Sequence, residues 1–307
     1  MFKAYLNGER PAELPEFSWF DLQRIYSTCP AKWKFEEKSE QSAAKFADHV
    51  AILSPESFTS RFLREPCADD YAEILTSDND IKNWLKEHGV SGYSAKKYPE
   101  LVELVDKTGD KPFILKREIE KAEDAAFQMG KTLLPAADWD RILLMRDVIF
   151  GNKAFADMLS DNYNDVLLCG ELMGLPLRFK IDSLSKSAVM IDYVSCASAA
   201  EDVFRNQAEK GGYYIKQALL YDAFVSAYGS APSEQVILCQ EKKYPHIPQA
   251  YRITDQHRAI GRTQYSAAIT LLKACLESDS WLAYSAPGEI VDLPISPWFK
   301  KQYGIED

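Results

Sequence analysis

The sequence predicts an α/β fold, with helices packed on a buried sheet, and three observations support this prediction. First, the chain has 307 residues, of which 46% are hydrophobic and 27% charged, so it can bury a large core. Second, residues 177–182 and 189–194 have the apolar pattern of two short buried strands. Third, segments on either side, such as residues 42–53 and 213–228, carry apolar side chains at helical spacing. We therefore expect one α/β domain, or one such domain with an insert.

The two predicted strands each carry an aspartate. In the first strand apolar and polar residues alternate, so Lys180 and Asp182 share a face, and in the second Asp192 and Val194 share a face. If the strands pair as a hairpin, the two aspartates lie close enough to hold one hard cation through oxygen ligands. This arrangement suits metal-assisted phosphodiester hydrolysis. The alternative is an ordinary hairpin with two solvated aspartates.

Net charge and cysteine spacing exclude several classes of protein function. The formal net charge of −10 argues against a protein that coats nucleic acid non-specifically, but it is compatible with a DNA enzyme whose basic groups line one channel. The cysteines have neither C-x-x-C spacing nor a zinc-type histidine nearby, so we expect reduced thiols. There is no signal-peptide pattern and no apolar run near the ~18 residues of a membrane span. We expect a cytoplasmic protein with no membrane partner.

Two helices are predicted in the N-terminal part, residues 1–66. Ser18 is placed to cap the first helix, and Pro30 ends or bends it. The second helix covers residues 42–53, has one apolar face and carries His49. Spacing alone makes this histidine a hydrogen-bonded structural residue.

Residues 67–130 have a pattern of their own. It predicts a helical hairpin at about residues 78–108, whose first helix is capped by Asp78 or Asp80 and ends at Gly89. A loop and a second apolar-patterned helix follow.

The loop of this predicted hairpin carries Lys96 and Lys97. A helix, a basic loop and a helix resemble a SAP-type module, which is a small DNA-binding hairpin. In that case the two lysines would contact phosphates without reading sequence. The alternative is a plain helical hairpin that covers the core.

Several short motifs follow one another from Ser18 to the C-terminal region. They are SWFDLQRIYSTCPAKWKF at 18–35, HVAILSPESF at 49–58, the glycine-containing hairpin at 174–182, the Asp192–Val194 segment, Gln217 with Tyr221, the Gln-Glu-Lys of 240–242, and CLESDSW with LPISPW in the tail. Each motif is weak, but their order is specific. It resembles the PD-(D/E)XK nuclease superfamily, and most closely the RecE-type exonucleases (exodeoxyribonuclease VIII) of prophages.

The resemblance implies an α/β fold with a restriction-endonuclease-like core. Its central mixed sheet would be flanked by helices, with residues 1–66 as the N-terminal helical part of the core. Residues 131–307 would form the remaining core and a C-terminal tail, and residues 67–130 would be a helical insert.

The resemblance also implies a metal site and a DNA-positioning pair. Asp182 and Asp192 would hold Mg²⁺ or Mn²⁺ together with His49 and one upstream acid. Asp165 is the favoured acid, and Glu171 is the alternative.

The DNA-positioning pair implied by the resemblance is Gln217 and Tyr221. They lie one turn apart on a predicted helix, so they share a face. In the family this face is directed at the active site.

One position departs from the family pattern, because Val194 stands where these enzymes have the lysine of the D-x-K motif. That lysine lies beside the attacking water and the scissile phosphate, and losing such a charge costs about 10²–10³-fold in rate. Lys180, on the adjacent strand, and Lys242, after a later strand, are the candidates to replace it. Lys180 alternatively pairs with Asp182 or with a DNA phosphate.

Two functions follow from the resemblance and this departure. The first is a phage or prophage recombination exodeoxyribonuclease that acts on linear double-stranded DNA ends with Mg²⁺. Its implied partners are a single-strand annealing recombinase and further copies of itself. The second is a catalytically inactive homologue that binds DNA or a protein partner in recombination or anti-defence.

Overall fold

A mixed sheet of seven strands forms the centre of the described chain. The computed structural model describes residues 1–6, 8–37, 42–286 and 288–305. In chain order the strands are β1 (Lys3–Tyr5), β2 (Phe17–Ser18), β3 (Phe62–Arg64), β4 (Thr132–Leu134), β5 (Tyr163–Leu172), β6 (Leu175–Leu184), β7 (Val189–Cys196), β8 (Glu234–Glu241) and β9 (Pro248–Arg252). Strands β3 and β4 pair in a separate small sheet.

The order of strands in the main sheet is β1, β5, β6, β7, β8, β9, with β2 alongside β6. Neighbours are antiparallel except β7 with β8 and β2 with β6, which are parallel. The predicted hairpin at residues 177–196 is the β6–β7 pair, joined by a tight turn. The predicted α/β fold with a mixed central sheet is thus confirmed.

Helices account for most of the remaining described chain. They are α1 (Trp19–Ser27), α2 (Pro30–Phe35), α3 (Ala43–Leu53), α4 (Pro55–Arg61), α5 (Asp78–Glu87), α6 (Tyr98–Thr108), α7 (Leu115–Met129), α8 (Ala136–Gly151), α9 (Lys153–Leu159), α10 (Glu201–Lys210), α11 (Tyr213–Tyr228), α12 (Asp255–Ser278) and α13 (Pro297–Gln302).

Both faces of β7 are covered, because successive residues of a strand face opposite sides. Met190 belongs to an apolar cluster that includes residues of α1, α11 and α12. Ile191 and Tyr193 belong to another, with residues of α3, α8 and α9. The strand that carries Asp192 is therefore held between two helical layers.

The first helix begins as the sequence predicts. Ser18 caps α1 in a reciprocal box with Asp21, whose Oδ2 accepts from the Ser18 backbone N at 3.0 Å. Pro30 is the first residue of a separate helix, α2, a position where its missing N–H costs nothing. It therefore starts a helix after a break.

The predicted helical hairpin is present as α5 and α6, within residues 75–115, and we call this segment the helical hairpin. The cap of α5 is Ser77, and neither Asp78 nor Asp80 takes that role, because Asp80 is the third helical residue and accepts from the Ser77 backbone N at 2.9 Å. Buried side chains from both helices form their own apolar cluster. The two ends of the helical hairpin lie side by side, because the Leu75 N donates to the Phe113 O at 2.9 Å.

Helix length and hydropathy bear on membrane insertion. In the ranges that the structure describes, no helix combines the length and the apolar character needed to cross a bilayer.

Candidate active site

Three aspartates lie in a row across neighbouring strands of the main sheet. The pairing of β5 with β6 joins Asn164 to Ser183 and Val166 to Ile181, so Asp165 and Asp182 lie at the level between these two pairs. In the antiparallel pairing of β6 with β7, Ser183 is the partner of Ile191. Asp182 and Asp192 therefore lie opposite each other at the next position of the register. The tight turn between β6 and β7 fixes this register, which is why two residues ten positions apart meet.

The side chain of Asp182, on β6, reaches the backbone of β7. Its Oδ2 accepts a hydrogen bond from the backbone N of Tyr193 at 3.2 Å. Asp182 and Asp192 are each only 4% exposed. Two buried carboxylates side by side need positive charge nearby, because burial penalises each ionised group.

A cavity of about 230 Å³ opens at the two aspartates, and we call it the acid pocket. Its lining comes from α1, α3, β6, β7 and α11: Trp19, Lys45, Phe46, His49, Lys180, Asp182, Asp192, Tyr193, Val194, Tyr213 and Lys216. Elements distant in sequence therefore build one concave site.

The ammonium group of Lys216 bridges the two aspartates. Its Nζ lies 2.5 Å from Asp192 Oδ1 and 3.8 Å from Asp182 Oδ2. The ring of Trp19 lies on another side of it, 5.5 Å from Nζ to the ring centroid. With 14% of its side chain exposed, Lys216 presents a fixed positive charge inside the acid pocket.

The start of α11 places Lys216 one turn into the helix, above β7. Gly212 caps α11 with a φ of +69°, a left-handed conformation that glycine adopts without strain. A Cβ at this position would also collide with the side chain of Gln23 on α1. Glycine thus allows α11 to begin close against α1, so that Lys216 reaches the aspartates.

His49 lies at the rim of the acid pocket on α3. Its Nδ1 lies 3.0 Å from the carbonyl O of Lys45, one turn earlier. Its ring packs edge-on against Tyr193, with centroids 5.3 Å apart. If Nδ1 donates to that carbonyl, Nε2 is left as an acceptor or metal ligand.

Asp165 and Lys180 form the outer edge of the same site. Lys180 Nζ lies 2.7 Å from Asp165 Oδ1 and 3.7 Å from Asp182 Oδ1. Asp165 has a φ of +55°, which is uncommon for a residue other than glycine and interrupts the regular strand. Glu171 is six residues further along β5, about 20 Å at the rise of a strand. The structure brings Asp165 near the aspartate pair, and places Glu171 far from it.

Gln217 and Tyr221 share a face of α11 but reach different places. Gln217 is buried, and its Nε2 donates to Asp192 Oδ2 at 2.5 Å. Tyr221 lines a second, larger cavity of about 570 Å³ near the start of β8. There its ring lies against the guanidinium of Arg258, 4.4 Å from the ring centroid.

The remaining candidate lysines lie away from the acid pocket. Lys242 follows β8, and its backbone N donates to the O of Cys196 at 3.0 Å. That carbonyl is four residues past Asp192, about 13 Å along the strand. Lys96 and Lys97 lie in the loop of the helical hairpin, where Lys96 pairs with Glu100 at 3.0 Å.

The two central aspartates have opposite pKa shifts. Burial and the like charge of Asp182 raise the pKa of Asp192 to about 7, although Lys216 opposes the increase. Burial alone would raise the pKa of Asp182, but Lys216, the hydrogen bond with Asp192, His49 and Lys180 together lower it. Both carboxylates raise the pKa of Lys216 in spite of its burial, so its ammonium stays charged.

The donor set of the acid pocket fits a hard divalent cation. Within the described residues, no three or more His, Cys, Asp or Glu side chains are grouped as a metal site. Asp182 and Asp192 are two carboxylates on one pocket, and Mg²⁺ is commonly bound through one or two carboxylates while it keeps several waters. These two residues would hold the ion, and the pocket has room for its waters.

Sequence reasoning missed Lys216, which is the closest cation to Asp192 among the residues described. It named Lys180 and Lys242 as replacements for the absent D-x-K lysine. One signal was present in the sequence: Lys216 is the one lysine in the largely apolar helix YYIKQALLYDAFVSAY. A lysine in such a helix needs a partner when it is buried, and Gln217 beside it was already assigned to the site.

Comparisons with known proteins address the family. Residues 103–294 match a family described as "PDDEXK-like domain of unknown function (DUF3799)", which is well over half of the chain. A crystal structure from Eubacterium rectale, described as "Putative exonuclease", is similar with a TM-score of 0.43 and 14% identity, over 84% of this chain and 97% of that one. No curated protein matches at a significant level. PDDEXK nucleases generally use divalent metal ions, which agrees with the carboxylate pair. By the family match, the chain belongs to the PDDEXK-like DUF3799 family, within the PD-(D/E)XK superfamily of nuclease-type proteins.

Proposed function

We propose that this protein is a Mg²⁺- or Mn²⁺-dependent exodeoxyribonuclease of the RecE type, which degrades linear double-stranded DNA from its ends. One observation carries the proposal: Lys216 Nζ lies 2.5 Å from Asp192 Oδ1 inside the acid pocket. Val194 leaves the strand without the D-x-K lysine, and Lys216 supplies an equivalent charge from α11. Loss of the strand lysine is therefore no reason to call the site inactive.

The charges of the acid pocket suit an anionic substrate. Lys45, Lys180 and Lys216 line it together with two aspartates. A bound divalent cation would activate water as a Lewis acid and neutralise phosphate charge. With that ion present, the lining has a net positive charge, although the whole chain has a net charge of −10. A local basic lining in an acidic protein attracts phosphate to one place.

Each side chain of the site has a role in this proposal. Asp182 and Asp192 would hold the ion, and His49 and Asp165 lie beside them, His49 as a lining residue of the acid pocket and Asp165 on the neighbouring strand. The Lys216 ammonium, which contacts both aspartates, would lie beside the attacking water and would stabilise the negative charge that develops on phosphate. Catalysis by such a fixed charge needs no rearrangement of solvent during the reaction.

The finer parts of the proposal come from the sequence resemblance. It supports action on duplex ends, a place in phage or prophage recombination, assembly into a homo-oligomer and cooperation with a single-strand annealing recombinase. Tyr221, Lys96 and Lys97 remain predicted DNA contacts. Gln217 is buried against Asp192, so a contact of its side chain with DNA would require it to leave that carboxylate.

The test is degradation of end-labelled linear duplex by the purified full-length protein. We expect digestion with Mg²⁺ or Mn²⁺, none with EDTA, and resistance of a covalently closed circular duplex. Asp192→Ala should reduce the rate by at least about 10³-fold, because it removes a predicted metal ligand. Asp157→Ala is the matched control, since this aspartate is exposed on α9 and lies outside the acid pocket. Equal rates for wild type and Asp192→Ala would refute the proposal.

A second candidate function is an inactive homologue that binds DNA or a protein partner. It is favoured by Val194 and by the pairing of both buried aspartates with a lysine. An inert wild type that binds Mn²⁺ and linear duplex would establish this function instead.

A further inference from the structure

A row of three hydrogen bonds, two of them buried and the third partly buried, leads from the acid pocket to the second cavity. Gln217 Nε2 donates to Asp192 Oδ2 at 2.5 Å, and Gln235 Nε2 donates to Gln217 Oε1 at 2.6 Å. Arg258 Nη1 in turn donates to Gln235 Oε1 at 3.4 Å. We call Gln217, Gln235 and Arg258 the amide relay. Its three members come from α11, β8 and α12.

Burial makes the direction of these hydrogen bonds important. Gln217 is 1% exposed and Gln235 is 2% exposed, so water cannot replace a lost partner. Each glutamine amide has an oxygen end and a nitrogen end, and rotation by 180° exchanges them. With Gln217 reversed, a carbonyl oxygen would face the Asp192 carboxylate, and two acceptors would repel each other.

Two neighbours of Gln235 fix its orientation: the backbone O of Gln217, which can only accept, at 2.8 Å, and the guanidinium of Arg258, which can only donate, at 3.4 Å. A guanidinium is always charged and only donates, so the atom of Gln235 that faces Arg258 has to be the oxygen. The nitrogen of Gln235 then faces Gln217, and it also donates to the Gln217 backbone O at 2.8 Å. The Gln235 nitrogen therefore donates to both the backbone O and the side-chain Oε1 of Gln217. Because Oε1 of Gln217 faces Gln235, the amide nitrogen of Gln217 faces Asp192.

Arg258 is itself fixed from several sides. It donates to the backbone O of Ile253 at 3.0 Å and to Asp255 at 2.6 Å, and it lies on the ring of Tyr221. Close packing of α12 on α11 makes this possible, because a Cβ at Gly261 would collide with the backbone O of Tyr214. Only 13% of the Arg258 side chain is exposed.

We propose that Gln235 and Arg258 are positioning residues, which hold the Gln217 amide as a donor to Asp192 Oδ2 and so keep Oδ1, the oxygen that contacts Lys216, directed into the acid pocket where the cation would bind. The proposal rests on the proposed function, because it assumes that Asp192 serves a bound divalent ion. It assigns a role to two residues that lie outside the acid pocket. Partners that orient a ligating carboxylate commonly change metal affinity or activity by about 10–100-fold.

The first measurement observes the amide itself, without metal or DNA. The side-chain ¹⁵N–¹H signals of Gln217 are assigned by their loss in Gln217→Ala. In wild type and Arg258→Lys, we expect them to be shifted and slow to exchange, because a donor to a buried carboxylate is protected. In Arg258→Met and Gln235→Glu, which remove the obligate donor or the central amide nitrogen, this protection should be lost.

The second measurement is Mn²⁺ affinity by titration calorimetry, followed by kcat and KM on linear duplex. Arg258→Met and Gln235→Glu should weaken Mn²⁺ binding by about tenfold and lower kcat, with KM for DNA unchanged. Arg258→Lys should stay near wild type. Arg262→Met is the matched control, because Arg262 lies one turn further along α12 and also contacts the Tyr221 ring, but has no hydrogen bond to Gln235 in the described structure.

Each outcome separates the two proposals. If wild type cuts no DNA but the amide signals and Mn²⁺ affinity respond as expected, the nuclease proposal fails and the amide relay stands. If Arg262→Met weakens Mn²⁺ binding as much as Arg258→Met, or if protection is lost while Mn²⁺ affinity is unchanged, the relay is refuted. A wild type that binds no Mn²⁺ also refutes it. Should Arg258→Met fail to fold, Gln235→Glu and Arg258→Lys provide the same comparison.

Discussion

The acid pocket and the helical hairpin both place lysines beside carboxylates, but they hold them differently. In the acid pocket, Lys216 is 14% exposed and meets aspartates from two strands. In the helical hairpin, Lys96 is 34% exposed and Glu100, its partner, is 54% exposed, one turn away on the same chain segment. The first arrangement requires the whole fold, whereas the second requires only a local turn.

This difference indicates where chemistry and where binding are to be sought. A buried charge keeps one position and interacts strongly, because little water screens it. A solvated pair contributes little to stability, and its lysine is free to exchange a carboxylate for a phosphate. We therefore expect substitutions in the acid pocket to change rates by orders of magnitude, and those in the helical hairpin to change affinity only modestly.

The largest expected effect comes from moving the lysine. Lys216→Met should lower the rate of duplex degradation by about 10²–10³-fold, since it removes one fixed charge from the reacting groups. Lys216→Met with Val194→Lys should recover much of this loss, because Val194 also lines the acid pocket. Rates are measured with saturating Mn²⁺.

Lys180→Met is the matched control for that experiment, because Lys180 lines the same pocket but is 45% exposed and lies nearest to Asp165. We expect it to cost much less than Lys216→Met. If Lys180→Met is the more damaging change, the essential charge comes from β6 and the assignment to Lys216 is wrong.

The next effect is a pH dependence of metal binding. Since burial and Asp182 raise the pKa of Asp192 to about 7, this carboxyl is largely protonated below that pH in the metal-free protein. Metal binding must then displace its proton, so Mn²⁺ affinity should fall by about tenfold per pH unit below pH 7 and level off above it. Calorimetry between pH 5.5 and about 8.5 in buffers of different ionisation enthalpy measures both the affinity and the released proton.

Asp192→Asn is the comparison for this titration, because it removes the titrating group. Its weaker Mn²⁺ binding should lose most of the pH dependence. An unchanged affinity for wild type from pH 6 to 8 would show that Asp192 is already ionised there, and that Lys216 outweighs its burial.

Much of the fold and part of the site were predictable from sequence, for local reasons. Alternation of apolar residues gave β6 and β7, and the short turn between them set Asp182 against Asp192. Ser18 was predicted as a cap because it directly precedes the apolar helical pattern, and the structure adds its partner Asp21, three residues away. Lys216 was not predicted, because its contact with Asp192 depends on how α11 packs over β7. Tyr221 shows the same limit. Helical spacing predicted that it shares a face of α11 with Gln217, but the packing of the helix places its side chain in the second cavity.

The smallest expected effect belongs to the helical hairpin, and it distinguishes a DNA-binding module from a cover for the core. Its boundaries favour a clean deletion, because Leu75 and Ile114 pair as neighbours, with the Leu115 N donating to the Leu75 O at 2.9 Å. Residues 76–113 can be replaced by a short Gly-Ser linker, with Ile114→Ser to remove the apolar side chain that deletion would expose. The variant should fold, since the cluster of the helical hairpin is separate from those on the sheet.

If the helical hairpin binds DNA, its removal should weaken duplex affinity by a few-fold and leave kcat on a short duplex unchanged. Lys97→Gln alone should reduce the salt dependence of binding by about one unit of slope, as expected for one lost phosphate contact. Lys107→Gln changes another exposed lysine, which lies on α6 outside the loop, and it should change neither the affinity nor the salt dependence. If the deletion variant binds duplex DNA as tightly as wild type, the helical hairpin is not a DNA-binding module. If the deletion variant is insoluble, the helical hairpin covers the core. Either result would leave the lysine and the two aspartates of the acid pocket intact, because none of its lining residues belongs to the helical hairpin.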